Sequence, residues 1–333
     1  MRKIITLVSV ALLFLLVDVS ASQAKPFYEG KVIKIIVTTK PGGGYDFYGR
    51  LMAKYMQKYL PGSTIIVKNM PGAGDLIGTN AIYNAKPDGL TFGIFNRAVG
   101  LLQVMGMKGV KFDFRKFNFL GVACSEIYSF AVSSKKYQSI DDVLKDENPR
   151  IASSGMGTMN YITPVLFYYM MGLNNYTLAT GYQGGEPALA IMRGEMDGTF
   201  GAFNSRKDMV NAGYARFVMF IGKNKPTGYK DVPFIQEVLK NKKYKSTVDF
   251  LVGMQVIGRP FAGPPGIRKD RLQLLRKAFE NAVNDPECAA FAEKAGRPVE
   301  FISAEEAEKW AQGLFDLPAD VVKILKKATT GGN

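Results

Sequence analysis

Three glycine-rich segments, at 41–46, 71–75 and 154–160, each stand where an apolar, β-branched run gives way to a helical pattern. Successive glycines ahead of a helix present fixed backbone N–H groups and the positive end of the helix dipole, a pairing suited to a carboxylate or phosphate. One such loop alone reads as a tight turn. Three at equivalent junctions point to a ligand site. No Gly-Lys-Ser/Thr follows Gly42-Gly43-Gly44, so a nucleotide-binding P-loop lacks its lysine. Gly72-Ala73-Gly74 with Gly78 misses the dinucleotide fingerprint by one residue of spacing, and no cofactor is expected.

Histidine is absent from the chain. That removes Ser-His-Asp and Cys-His nucleophile pairs and imidazole metal ligands, leaving an exported hydrolase or transferase only the rarer Ser-Lys arrangements. Side chains beside the loops could still bind. Asp46 stands where a cap for the first helix is expected. Asn96 and Arg97 follow a predicted strand, and an arginine can hold a carboxylate through two parallel hydrogen bonds, although most arginines are solvated. Phe203 ends a corresponding strand and, with Tyr45 and Tyr161, could wall a pocket or simply fill a core.

The elements that must position these groups alternate. Val32–Val37, Thr64–Lys68 and Thr91–Phe95 read as strands, with helical repeats over Phe47–Tyr59 and Leu76–Asn84 between them. The pattern recurs: strands at Ile127–Val132, Arg150–Ser153, Gly198–Phe203 and Arg216–Ile221, helices at Ile140–Leu144, Tyr161–Met171, Gly184–Arg193, Arg268–Asn284 and Ala304–Leu314. Strand, glycine turn, helix, strand implies mostly parallel sheets covered by helices, in two α/β lobes. In such sheets ligands sit beyond the carboxyl ends of the strands.

Arg2 and Lys3, the apolar run Ile4–Val17 and the small residues to Ala24 read as a secretory leader cleaved after Ala24, too short for the roughly 20 apolar residues of a span. The formal charge is +14 and 47% of residues are hydrophobic. The basic residues are dispersed, so an anionic small solute fits better than nucleic acid. Cys124 and Cys288 are as readily two buried thiols as one bridge.

Taken in order, the segments 34–46, 67–74 and 85–91, with 154–158, 182–188, 194–197 and 262–266, resemble the extracytoplasmic receptors of tripartite tricarboxylate transporters, the Bug family. The resemblance covers nearly all of the chain beyond the leader. It implies a non-enzymatic, monomeric periplasmic receptor: a two-lobed clamshell that closes on a small carboxylate held largely by backbone groups and water, then docks on a permease. A sensor feeding a membrane kinase is the alternative. Residues 25–126 and 256–333 would form the first lobe, and 127–255 an inserted second lobe. The carboxylate loops would fall on Pro41, Gly42, Gly43, Gly44 and Asp46, and on Ala73 and Gly74, with Gly155, Gly157, Thr158 and Asp197 facing them. Tyr45, Asp75 and Tyr161 differ from the family pattern, where Thr or Ser, Gly, and His are common, and bear on which ligand is bound.

Overall fold

The computed structural model describes residues 26–330, so the expected leader and its cleavage point lie outside the described residues. The branched and aromatic runs become ten strands among those residues: β1 (Val32–Val37), β2 (Thr64–Asn69), β3 (Thr91–Ile94), β4 (Asn118–Val122), β5 (Tyr128–Ser133), β6 (Arg150–Ala152), β7 (Thr177–Ala179), β8 (Gly198–Ala202), β9 (Ala215–Ile221) and β10 (Pro260–Gly263). They build two sheets, ordered β2-β1-β3-β10-β4 and β7-β6-β8-β5-β9.

Both sheets follow one plan. In each sheet four strands run the same way and only the fourth in the order, β10 in one and β5 in the other, runs against them, so the sheets are mixed but mostly parallel, as the alternating pattern implies. The cause is the route between lobes: β4 passes into β5, and the chain returns through β10. Residues 123–127 and 255–259 make these crossings side by side. The Ala123 N–H donates to the Arg259 carbonyl at 3.0 Å, Gly258 to Cys124 at 3.0 Å and Glu126 to Gln255 at 2.9 Å.

On one face of the first sheet Ile33, Ile35 and Val37 pack with Leu51 and Met52 of the helix Gly44–Met56 and with Leu275 and Phe279 of the helix Lys269–Val283. A second cluster runs from Phe95, Phe114 and Phe119 of the first lobe into Phe130, Phe167 and Phe200 of the second. Full burial of each such side chain stabilises by about 1.5–3 kcal/mol. The last helix, Ala319–Thr330, was expected with the first lobe, yet Val321 and Leu325 enter this shared cluster and the helix packs on Met159–Met171 of the second. Its Thr329 hydroxyl also lies 3.3 Å from the Met105 sulfur of the first lobe. Sequence periodicity could not foretell which lobe an amphipathic helix would choose.

Candidate functional site

Strand ends from both lobes converge on one cavity of about 70 Å³, room for a handful of water-sized groups. Thr39, Gly43, Gly44 and Tyr45 follow β1, Asp75 follows β2, and Asn96 and Arg97 follow β3. From the other lobe come Ser154 and Thr158 after β6, Gln183 after β7, and Ser205 and Arg206 beyond β8. Glu126 and Arg259 enter from the crossings.

Three arginines are buried here, and they are not alike. Arg97, 1% exposed, donates to Glu126 Oε2 at 2.6 Å, to the Gly258 carbonyl at 3.2 Å and to Gln255 Oε1 at 2.5 Å. Arg259 meets the other Glu126 oxygen at 2.5 Å and stands 4.1 Å from the Tyr45 ring centroid. Burial, the largest influence, would loosen the proton of either guanidinium, but Glu126 and the Tyr45 side chain together with further neighbours outweigh it and raise both pKa values. Arg206 has no such partner among the described residues. It is buried and makes one long bond of 3.4 Å to the Gly184 carbonyl; its Nε lacks an acceptor among the described residues, as do those of Arg97 and Arg259, but it alone of the three has no carboxylate there. Burial draws its pKa down to about 10, and the nearby Arg297 and Arg259 add to the effect.

Asp75 is the other unsatisfied charge. Residues 72–75 run Gly72 (φ 134°), Ala73 (φ 48°), Gly74 (φ 61°) and Asp75 (φ 73°), two of them non-glycine in the left-handed region that strains an ordinary residue. Asp75 stands at the start of the helix Leu76–Tyr83, yet its carboxyl makes no capping bond and is fully buried. Burial pushes its pKa up to about 7; the Thr38 hydroxyl and the Asn96 N–H lie close enough to oppose this, but neither meets it with hydrogen-bond geometry.

The glycines have a different task. A Cβ on Gly43 would stand 2.9 Å from the Gly184 Cα, one on Gly74 2.7 Å from the Gly157 nitrogen, and one on Gly155 2.6 Å from the Gly74 Cα. Backbone therefore touches backbone across the cleft. Around this seam Asn96 accepts the Met159 N–H at 3.3 Å, Lys40 donates its N–H to Gln183 at 3.0 Å and pairs with Glu186 at 2.9 Å, and Arg297 reaches Ser205 at 3.4 Å.

The sequence-based candidates divide accordingly. Gly43, Gly44, Tyr45, Asp75, Asn96, Arg97 and Thr158 line the cavity. Ala73, Gly74, Gly155 and Gly157 form the seam beside it, and Pro41 approaches Gly184 at the same junction. Gly42 and Asp46 do not line the cavity. The helix starts at Gly44 with Gly43 as its cap, so Asp46 sits in the first turn, accepting the Gly42 N–H at 3.0 Å and pairing with Arg50. The expected cap is thus replaced by a bond reaching back to the loop. Asp197 lies at the opposite end of β8, held by Lys136 at 3.0 Å and Arg150 at 2.7 Å, and cannot face the cleft. Phe203 packs among Phe217, Phe220 and Tyr229 as core, and Tyr161 packs against the shared cluster away from the cavity. Arg97 is neither solvated nor free to clamp. Cys124 and Cys288 are separate buried thiols, each pushed up to about 12 by burial.

Sequence reasoning missed Glu126, Arg206 and Arg259. Arg206 was within reach of it, one helical turn beyond the end of β8, where the strand-end rule had already drawn notice to Phe203.

Comparison with known proteins agrees with this architecture. The model of the tripartite tricarboxylate transporter family receptor matches residues 49–324. A UPF0065 protein of Bordetella bronchiseptica is 24% identical over 284 residues, 83% of this chain and 80% of that protein, and Protein BugT of Bordetella pertussis is 36% identical over 73 residues, 22% of each. Among solved structures the periplasmic binding protein BugD superposes with a TM-score of 0.76 at 19% identity, covering 90% of this chain and 98% of that one. MatC of Rhodopseudomonas palustris with bound malate gives 0.73 at 18% identity, covering 88% and 99%. Rpa4515 of the same organism with adipate gives 0.73 at 15%, covering 89% and 97%. A two-lobed α/β fold with its charged cavity between the lobes, and a family match over most of its length, make this chain a member of the tripartite tricarboxylate transporter receptors, periplasmic solute-binding proteins of the Bug type and not enzymes.

Proposed function

We propose that the lobes close on a small organic carboxylate whose anionic group is met by Arg206, and that the loaded monomer delivers it to the permease of a tripartite tricarboxylate-type transporter. The observation that carries this reading is a surplus of buried positive charge. Two guanidiniums share Glu126, while the third has no carboxylate among the described residues. A lone buried cation costs several kcal/mol, and an anion arriving from solution would offset that cost only when bound. The malate and adipate held by the similar folds MatC and Rpa4515 support the same class of ligand. The leader, removed after Ala24, would release the receptor into the periplasm with Lys25 at its N-terminus.

A thermal-shift screen over malate, adipate and other small organic acids tests the reading. A ligand at about 100 times its Kd adds about 2.7 kcal/mol to the folded state. Arg206→Gln should lose most of that shift while the unliganded protein melts no earlier than wild type. A wild-type protein that no acid stabilises would overturn the proposal.

A further inference from the structure

Asp75 has no evident use in the fold. An aspartate at a helix start ordinarily accepts the N–H groups of the first turn, and this one does not. Its backbone is held at φ 73°, where an aspartate is uncommon, and both carboxyl oxygens are buried with no hydrogen bond among the described residues. Arg97 and Arg259 converge on Glu126 instead. An uncompensated carboxyl weakens a protein unless something completes it.

What could complete it is indicated from the opposite lobe. Arg206 lines the same small cavity, is buried as deeply, and lacks an anionic partner just as Asp75 lacks a cationic one among the described residues. From the unpaired carboxyl of one lobe and the unpaired guanidinium of the other, we infer that the ligand is a small aminocarboxylate, its carboxylate on Arg206 and its ammonium on Asp75. This rests on the carboxylate reading above and narrows it. A plain diacid would set its second carboxylate against Asp75, and like charges at close range are tolerated only if one keeps a proton.

Proton exchange on binding separates the two cases. An ammonium stabilises the ionised form of Asp75, so binding near pH 6 expels a proton; a diacid draws one in. Calorimetry on the mature chain near pH 6, in buffers of differing ionisation enthalpy, would compare β-alanine and 4-aminobutyrate with malonate and succinate. The aminocarboxylates should bind at least about tenfold more tightly and release a proton. Asp75→Asn should abolish both the preference and the release, and Asp75→Gly, whose backbone suits φ 73°, should do the same if the asparagine variant fails to fold. Arg206→Lys should weaken every acid. Diacids that bind more tightly with proton uptake would overturn the inference and leave the carboxylate reading standing. Failure of both classes to bind folded wild-type protein would overturn both.

Discussion

Arg97 and Arg206 are the same residue type, buried to nearly the same depth against the same cavity, and they have opposite status. Arg97 is tied into the crossing segments through Glu126, Gln255 and the Gly258 carbonyl, so it belongs to the frame on which the lobes turn. Among the described residues Arg206 has only one long bond, to a backbone carbonyl within its own lobe. The contrast teaches that burial of a charge does not identify a binding residue; lack of a partner does. Breaking the frame should therefore have the largest effect. Glu126→Gln removes the carboxylate paired with both Arg97 and Arg259, and loss of one member of a buried ion pair costs about 3–5 kcal/mol. Chemical denaturation should show a stability loss at the upper end of that range. An unchanged midpoint would mean that the two arginines are solvated and that the contrast with Arg206 is false.

The second comparison sets Asp75 against Glu126, a carboxyl without a cation among the described residues against one with two. In the folded chain Asp75 titrates at about 7 rather than its ordinary 3.8, because burial disfavours the charged form. Between those values the folded state keeps a proton that the unfolded state has lost. The contribution of Asp75 is therefore fullest below about pH 4, falls by about 1.4 kcal/mol per unit as pH rises towards 7, and then levels off, whereas the salt-bridged Asp46, Asp146 and Asp197, with lowered pKa values, lose theirs below about pH 4. Asp75→Asn should remove that slope, so unfolding curves of the variant and wild type should diverge most above neutral pH, with the variant the more stable. A stability difference between wild type and variant that stays constant with pH, or that closes as pH rises, would show that Asp75 is solvated or paired.

Local pattern made much of this legible. β1, β2 and β3 were visible as branched runs, and the glycine segments were visible at their carboxyl ends, because periodicity and turn chemistry act over a few neighbours. Seven of the expected site residues do line the cavity for that reason. What was not legible depends on contacts between distant parts of the chain. Glu126 meets Arg259 only because two crossings lie side by side, and Asp197 misses the cleft because Lys136 and Arg150 hold it at the wrong end of β8. The antiparallel entry of β10 between β3 and β4 likewise follows from the route between lobes, which no single segment encodes.

The glycine loop gives the smallest and most selective test. The sequence alone suggests that Gly42-Gly43-Gly44 anchors the carboxylate through its N–H groups, so that Gly43→Val should harm binding more than Arg97→Ala. The structure supplies a different reason for concern at Gly43: a Cβ there would stand 2.9 Å from the Gly184 Cα of the other lobe, closer than real Cβ atoms come to backbone. The clash exists only while the lobes touch. Neither lobe's own core is disturbed, since Gly43 precedes the helix and has an ordinary extended backbone at φ −93°. Overpacking of this kind costs about 1–3 kcal/mol, and here that cost falls on closure. Gly43→Ala should thus weaken ligand binding by roughly ten- to a hundredfold with little change in the melting of the unliganded protein, whereas Arg97→Ala should lower that melting temperature outright. Small-angle scattering would show the variant more open than wild type at saturating ligand. If Gly43→Ala binds and closes as wild type does, the seam yields readily, and the lobes are held together by Asn96, Lys40 and the shared last helix instead.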